Sequence, residues 1–212
     1  MNSKIKIPFV NRKGTVVTLC IAIMLFSAVT SCENKDSKGD DLSLPLYESY
    51  YSSLGVEETL TVRNDRVIMK TKPGTDAKAL IGQSIFRSAH DLGQGWVIAS
   101  IDPKKTKIDG LKKMTEVDDA VCGLVHVDGT MLYPSDRIFV KFNEKEEPAK
   151  ILENAGLSKN VVTIDLLNAQ SDIYQITLNV KLERILPFCR ELYETGLCRF
   201  AEPSFYREMN KF

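Results

Sequence analysis

Arg137-Ile138-Phe139-Val140-Lys141-Phe142 alternates along its length and is rich in β-formers, which predicts a strand. Working outward from it, Glu144 to Ala155 reads as a helix with Gly156 as its stop. Val161 to Leu167 predicts a second strand, Asn168 to Asp172 a turn, and Ile173 to Leu178 a third strand. Leu182, Ile185, Leu186, Cys189, Leu192 and Tyr193 then recur at helical spacing, the mark of an amphipathic helix. Pro187 lies early in it, where a missing backbone donor is best tolerated. Gly196 ends the helix, and Leu197 to Pro203 supplies a fourth strand. The order is βαββαβ.

The preceding half repeats that order more faintly. Arg66 to Thr71 reads as a strand and Thr75 to Ile81 as a short helix. Ser84 to His90 and Trp96 to Ile101 form a hairpin, Asp109 to Met114 a second helix, and Ala120 to Val127 the closing strand. Ahead of these, Tyr47 to Tyr51 and Glu57 to Val62 form a leading hairpin. The expectation is an α+β fold of two tandem ferredoxin-like units, 44–133 and 134–206, joined near Pro134, with 207–212 as a tail. Such a unit places its helices on one sheet face, leaving the other, with Phe139 and Phe200, for solvent or for binding.

The first 31 residues are different in kind. Lys4, Lys6, Arg12 and Lys13 precede an apolar run from Val16 to Phe26, and small residues from Ser27 to Ser31 lead into Cys32. The run is short for a membrane span and right for a signal peptide core, with a retained anchor as the alternative. Residues 27–32 resemble the lipobox of bacterial lipoproteins, with Val29 in place of the usual Leu. That resemblance implies cleavage before Cys32 and its lipidation. Glu33 to Asp41 is polar and charged, so 32–43 is expected to be a flexible tether. Its acidic start resembles the surface-export signal of Bacteroidetes lipoproteins. An outer-membrane lipid anchor is expected, on either the cell surface or the periplasmic face.

Composition narrows function further. The whole chain of 212 residues has 28 basic and 28 acidic residues; without the four basic residues of the signal, 24 remain against 28, a net charge near −4. That disfavours a nucleic-acid partner. Cys122, Cys189 and Cys198 remain after the leader, an odd number without Cys-x-x-Cys spacing, so neither a metal nor another cofactor is expected. The two histidines, His90 and His126, belong to no recognisable catalytic motif, and the pairs Glu57-Glu58, Asp118-Asp119 and Glu146-Glu147 read as solvated faces. The expectation is a protein that is not an enzyme.

The segment Leu186 to Phe205 carries a helix ending in Tyr193-Glu194-Thr195-Gly196, a strand, and Ala201-Glu202-Pro203-Ser204-Phe205. This resembles the closing helix and strand of the fervidolysin-like N-terminal prodomains of Bacteroidetes subtilisin-like serine peptidases. The resemblance extends over about residues 44–206, with the last 20 or so distinctive. The family's catalytic domain, with its Asp, His and Ser motifs, is not expected in this chain, which reaches Phe212 nine residues after Pro203. What the resemblance implies is a free-standing prodomain that binds a subtilisin-like protease in trans, inhibiting it or chaperoning its folding, with the tail from Ser204 onward lying in the active-site cleft. The candidate partner-binding residues are Phe200, Pro203, Phe205, Tyr206, Met209 and Phe212. A surface adhesion or ligand-binding lipoprotein and a truncated relic of a protease gene are the alternatives.

Overall fold

The structure is a computed structural model that describes residues 46–143 and 147–208. The expected signal peptide, the lipid-bearing Cys32 and the tether lie outside the described residues, as do Met209 and Phe212. The expected α+β class is corrected. The described chain is mainly β, with nine strands in one continuous antiparallel sheet and four short helices, in place of two tandem ferredoxin-like units. The strands are β1 (Tyr47–Tyr51), β2 (Glu57–Thr71), β3 (Phe86–Gly93), β4 (Trp96–Ile101), β5 (Val117–Val125), β6 (Met131–Phe142), β7 (Val161–Asn168), β8 (Ile173–Leu178) and β9 (Cys198–Glu208). The helices are α1 (Ala77–Ile81), α2 (Ile108–Lys112), α3 (Pro148–Asn154) and α4 (Ile185–Glu194).

The helices are shorter than the pattern predicts for physical reasons. Asp76 caps α1, its carboxylate accepting from Lys78 N–H at 2.9 Å, so Thr75 stays outside. Pro148 opens α3, where its lack of N–H costs nothing. A 3-10 turn over Leu182–Arg184 precedes α4, which puts Pro187 in the first turn. Gly196, at φ +72°, ends α4 in a left-handed conformation that favours glycine.

Strands run in the order β3-β4-β2-β5-β6-β8-β7, with β1 also on β2 and β9 also on β6. The sheet falls into two halves joined by β5 and β6, which pair only at Leu124–Leu132 and Val125–Met131. Pro134, expected as a joint between units, lies inside β6, paired opposite Phe205. Each half is built around a long bulged strand. In β2 the register to β5 breaks between Arg63 and Val67, and in β6 the register to β9 breaks between Pro134 and Ile138. The bulged sequences match: Asn64-Asp65-Arg66-Val67 and Ser135-Asp136-Arg137-Ile138. A bulge bends its strand, so one strand can take one partner before the bend and another after it. Thus β2 holds β1 before its bulge and β4 after, while β6 holds β5 and then β8.

Two apolar clusters lie under the helices. In the first half Val67, Met69, Val97, Ala99, Ile101, Val117 and Ala120 meet Ala77, Leu80 and Leu111. In the second, Ile138, Val140, Ile176, Leu178 and Ala201 meet Ile151, Leu152, Phe188, Cys189 and Leu192. The reverse face of the first half is buried as well, because Ile68, Trp96 and Ile98 pack with Tyr133 and Leu182 and against Tyr206. Polar links reinforce this junction. Lys70 Nζ donates to Asp136 at 2.7 Å and lies 5.6 Å from the Trp96 ring centre. The buried Asp119 accepts from Leu182 N–H at 2.7 Å, and Lys112 bonds Glu183.

Candidate partner-binding surface

The second half presents the surface that is left over. Ile138, Val140 and Phe142 of β6 point to α3 and α4, so by strand alternation Arg137, Phe139 and Lys141 point the other way. Gln175 and Thr177 of β8 and Thr163 and Asp165 of β7 share that face through the registers Arg137–Thr177, Phe139–Gln175, Thr163–Thr177 and Asp165–Gln175. Thr163 Oγ donates to Asp165 at 3.1 Å and lies 3.1 Å from Thr177 Oγ, so part of the face is ordered by its own side chains. Arg137 reaches Gln94 in the β3–β4 turn at 3.4 Å. Phe139 is half-buried there.

Of the candidate partner-binding residues, four can be placed. Phe200 pairs opposite Lys141 on the face away from the helices, yet is only 8% exposed. Pro203 is buried opposite Ile138. Phe205 packs on Tyr50 at 5.6 Å between ring centres, beside Leu60, Leu124, Leu132 and Leu186. Tyr206 packs on Trp96 at 5.7 Å. These side chains lie together along β9 and all contribute to the packing of the sheet. The segment Ser204 to Glu208, expected as the start of a tail, continues β9 and is paired with β6 as far as Glu208–Met131. Met209 and Phe212 lie outside the described residues.

The exposed positions of β9 are instead Arg199 and Arg207, which the sequence reading passed over. Arg199 sits where β9 slips register against β6, between Phe200 and Cys198, while Arg207 falls in step with the buried Ala201 and Pro203, so alternation alone carries no signal for its exposure. The carboxylates of the strand are engaged internally. Glu202 accepts from Ser53 N–H; Glu208 accepts from Tyr133 Oη at 2.9 Å and lies 3.7 Å from Arg66. Burial, together with the Glu208 carboxylate beside it, pushes the Tyr133 hydroxyl well up, so it stays a donor.

The titratable groups elsewhere are arranged for structure. His126 lies between two carboxylates, Nδ1 3.0 Å from Asp128 and Nε2 3.4 Å from Glu58. Its pKa is raised, first by the hydrogen bond to Asp128 and then, against some loss of solvation, by Glu58. Asp128 is lowered to about 2, chiefly by the N–H of Thr130. His90 is exposed on β3. Among the described residues no serine hydroxyl is hydrogen-bonded to either histidine. Cys189 and Cys198 are buried in the core under α4, and burial takes Cys198 to about 12 and raises Cys189 well above its usual value. Cys122, half-buried, is raised by burial to about 11. Thiols held protonated in this way are poor nucleophiles and poor metal ligands. No cluster of three or more His, Cys, Asp or Glu suited to a metal occurs among the described residues.

Two cavities of about 220 Å³ flank the junction. One is polar, with Lys70, Asp119, Asp136 and Lys181 on its walls. The other is mostly apolar, between Leu46, Val62, Ile108, Val121 and Leu124, with Glu48 and Glu183 at its rim. No family model, no curated protein and no solved structure matches the chain.

Proposed function

We propose that this chain is a non-catalytic, lipid-anchored bacterial protein that binds a subtilisin-like serine protease in trans, as an inhibitor or as a folding chaperone. The observation that carries the reading is the one-sided cover of the second half. Its sheet has α3 and α4 on one face, and on the other a surface of Arg137, Phe139, Lys141, Gln175 and Thr177 against which no helix of the described residues packs. An antiparallel sheet with one free face of mixed apolar and charged residues suits docking on a protein surface. The resemblance of Tyr193 to Phe205 to a subtilase prodomain supplies the class of partner. Attachment through Cys32 to the outer membrane, on the cell surface or the periplasmic face, belongs to the same proposal.

The test is titration of the purified full chain into a subtilisin-like protease assay, beside a variant ending at Glu208. Cutting there spares the β6–β9 pairing, which a cut before Ser204 would remove. Inhibition by the full chain supports the reading, and its loss in the shortened variant assigns the cleft-binding role to residues 209–212. Absence of both inhibition and assisted refolding of the protease contradicts it. The apolar 220 Å³ cavity favours the second reading, a ligand-binding surface lipoprotein. That reading predicts a bound small apolar molecule and indifference to proteases.

A further inference from the structure

The matching halves supply a template for a binding edge. In the first half β5 pairs with β2 on one side and, over Leu124 and Val125, receives β6 on the other. The registers Val62–Leu124 and Thr61–Val125 in the first half match Tyr133–Tyr206 and Leu132–Arg207 in the second. Tyr206 and Arg207 therefore stand where Leu124 and Val125 stand. β9 pairs with β6 alone, so among the described residues no strand occupies its outer edge. Nearer its start that edge is shielded, with Ser53 N–H on Glu202 and Tyr50 on Phe205. Among the described residues, Tyr206 to Glu208 pair with no strand other than β6.

An open strand edge offers backbone donors and acceptors for one more strand. Its charge selects the kind of strand. Arg199 and Arg207 are the exposed side chains of β9, while both carboxylates, Glu202 and Glu208, are engaged within the fold. We propose that the outer edge of Tyr206 to Glu208 accepts one antiparallel strand from a partner protein, an acidic extended segment, as β5 accepts β6. Backbone pairing supplies the register, and Arg207 selects carboxylate-bearing segments over basic ones. The inference stands whether or not the partner is a protease.

The probe is a synthetic peptide with the sequence of residues 128–136, Asp-Gly-Thr-Met-Leu-Tyr-Pro-Ser-Asp, which contains the strand that β5 receives and ends in carboxylates. Its control has both Asp replaced by Lys. Amide exchange of the full chain is measured by NMR with each peptide. The expected result is slowed exchange confined to Tyr206 through Glu208, with the acidic peptide binding about tenfold more tightly than the basic one, about 1.4 kcal/mol. Arg207→Glu reverses that preference; Trp96 fluorescence reports that the variant is folded. Absence of protection at these amides with both peptides overturns the proposal, as does a preference that Arg207→Glu leaves unchanged. Protease inhibition without such protection would uphold the function proposed above and refute this edge.

Discussion

His126 and Lys70 show how single residues hold the joint between the halves. The imidazole of His126 is raised by Asp128 and Glu58, so its charged form is favoured by folding. A raised pKa contributes stability that is complete below the unfolded value of about 6.5 and fades as pH rises through the higher folded value. Thermal melting of the wild type and of His126→Gln should therefore differ most below about pH 6.5 and converge above the folded pKa. A difference that is constant across that range would contradict the assignment. Lys70 pairs with an Asp136 carboxylate that is only 13% exposed. Lys70→Ala removes the close cation and leaves that carboxylate only the longer contact to Arg137 Nε at 3.9 Å, and a loss of about 1–3 kcal/mol in denaturant unfolding is expected. At this scale the sequence was partly legible. Tyr206 and Phe205 stood out as aromatic, but their use against Trp96 and Tyr50 depends on contacts between strands far apart in the chain. Of the two exposed β9 arginines, Arg199 lay within the expected strand, whereas Arg207 lies in the part of β9 beyond Pro203 that was read as a tail.

Strands and turns were read well where one residue pattern governed them. β8 spans the expected Ile173–Leu178, and β1 the expected Tyr47–Tyr51. The misreadings cluster at the bulges. Asn64-Asp65 and Pro134-Ser135-Asp136 are turn-forming residues, so they read as breaks between elements. In the fold both are absorbed as bulges inside β2 and β6, which makes each strand longer than its local propensity suggests. Gly123 sits opposite the first of them. A Cβ there would lie 2.9 Å from both Met131 Cε and Tyr133 Cε1 and 3.1 Å from Arg66 Cβ. Gly123→Ala is expected to destabilise by about 1–3 kcal/mol as the crowded neighbours shift. A neutral effect in equilibrium unfolding would mean that β5 and β6 are less closely packed than this geometry requires.

For the molecule as a whole, the sequence order of elements did not reveal that the halves share one sheet. The helical patterns were real but short, and the sheet they cover dominates, so the chain is mainly β. The joint lies not at Pro134 but in the β5–β6 turn and in the packing of Ile68, Trp96 and Ile98 on Tyr133, Tyr206 and Leu182. Burial of a face that each half would otherwise expose couples their stabilities. Trp96, the one tryptophan, reports that joint directly. Its fluorescence and the far-ultraviolet circular dichroism should lose structure in one coincident denaturant transition. Separate midpoints would show that the halves fold independently.

The second-half face that no described helix covers is the feature on which the functional account depends, and Phe139 lies in its middle. The most direct measurement is equilibrium binding of the full chain to a subtilisin-like protease inactivated by replacing its catalytic serine with alanine, which leaves the cleft open, compared with Phe139→Asp. Saturable binding that weakens at least tenfold, by about 1.4 kcal/mol, in the variant is the predicted result. No binding by the full chain, or equal binding by both proteins, would contradict the account.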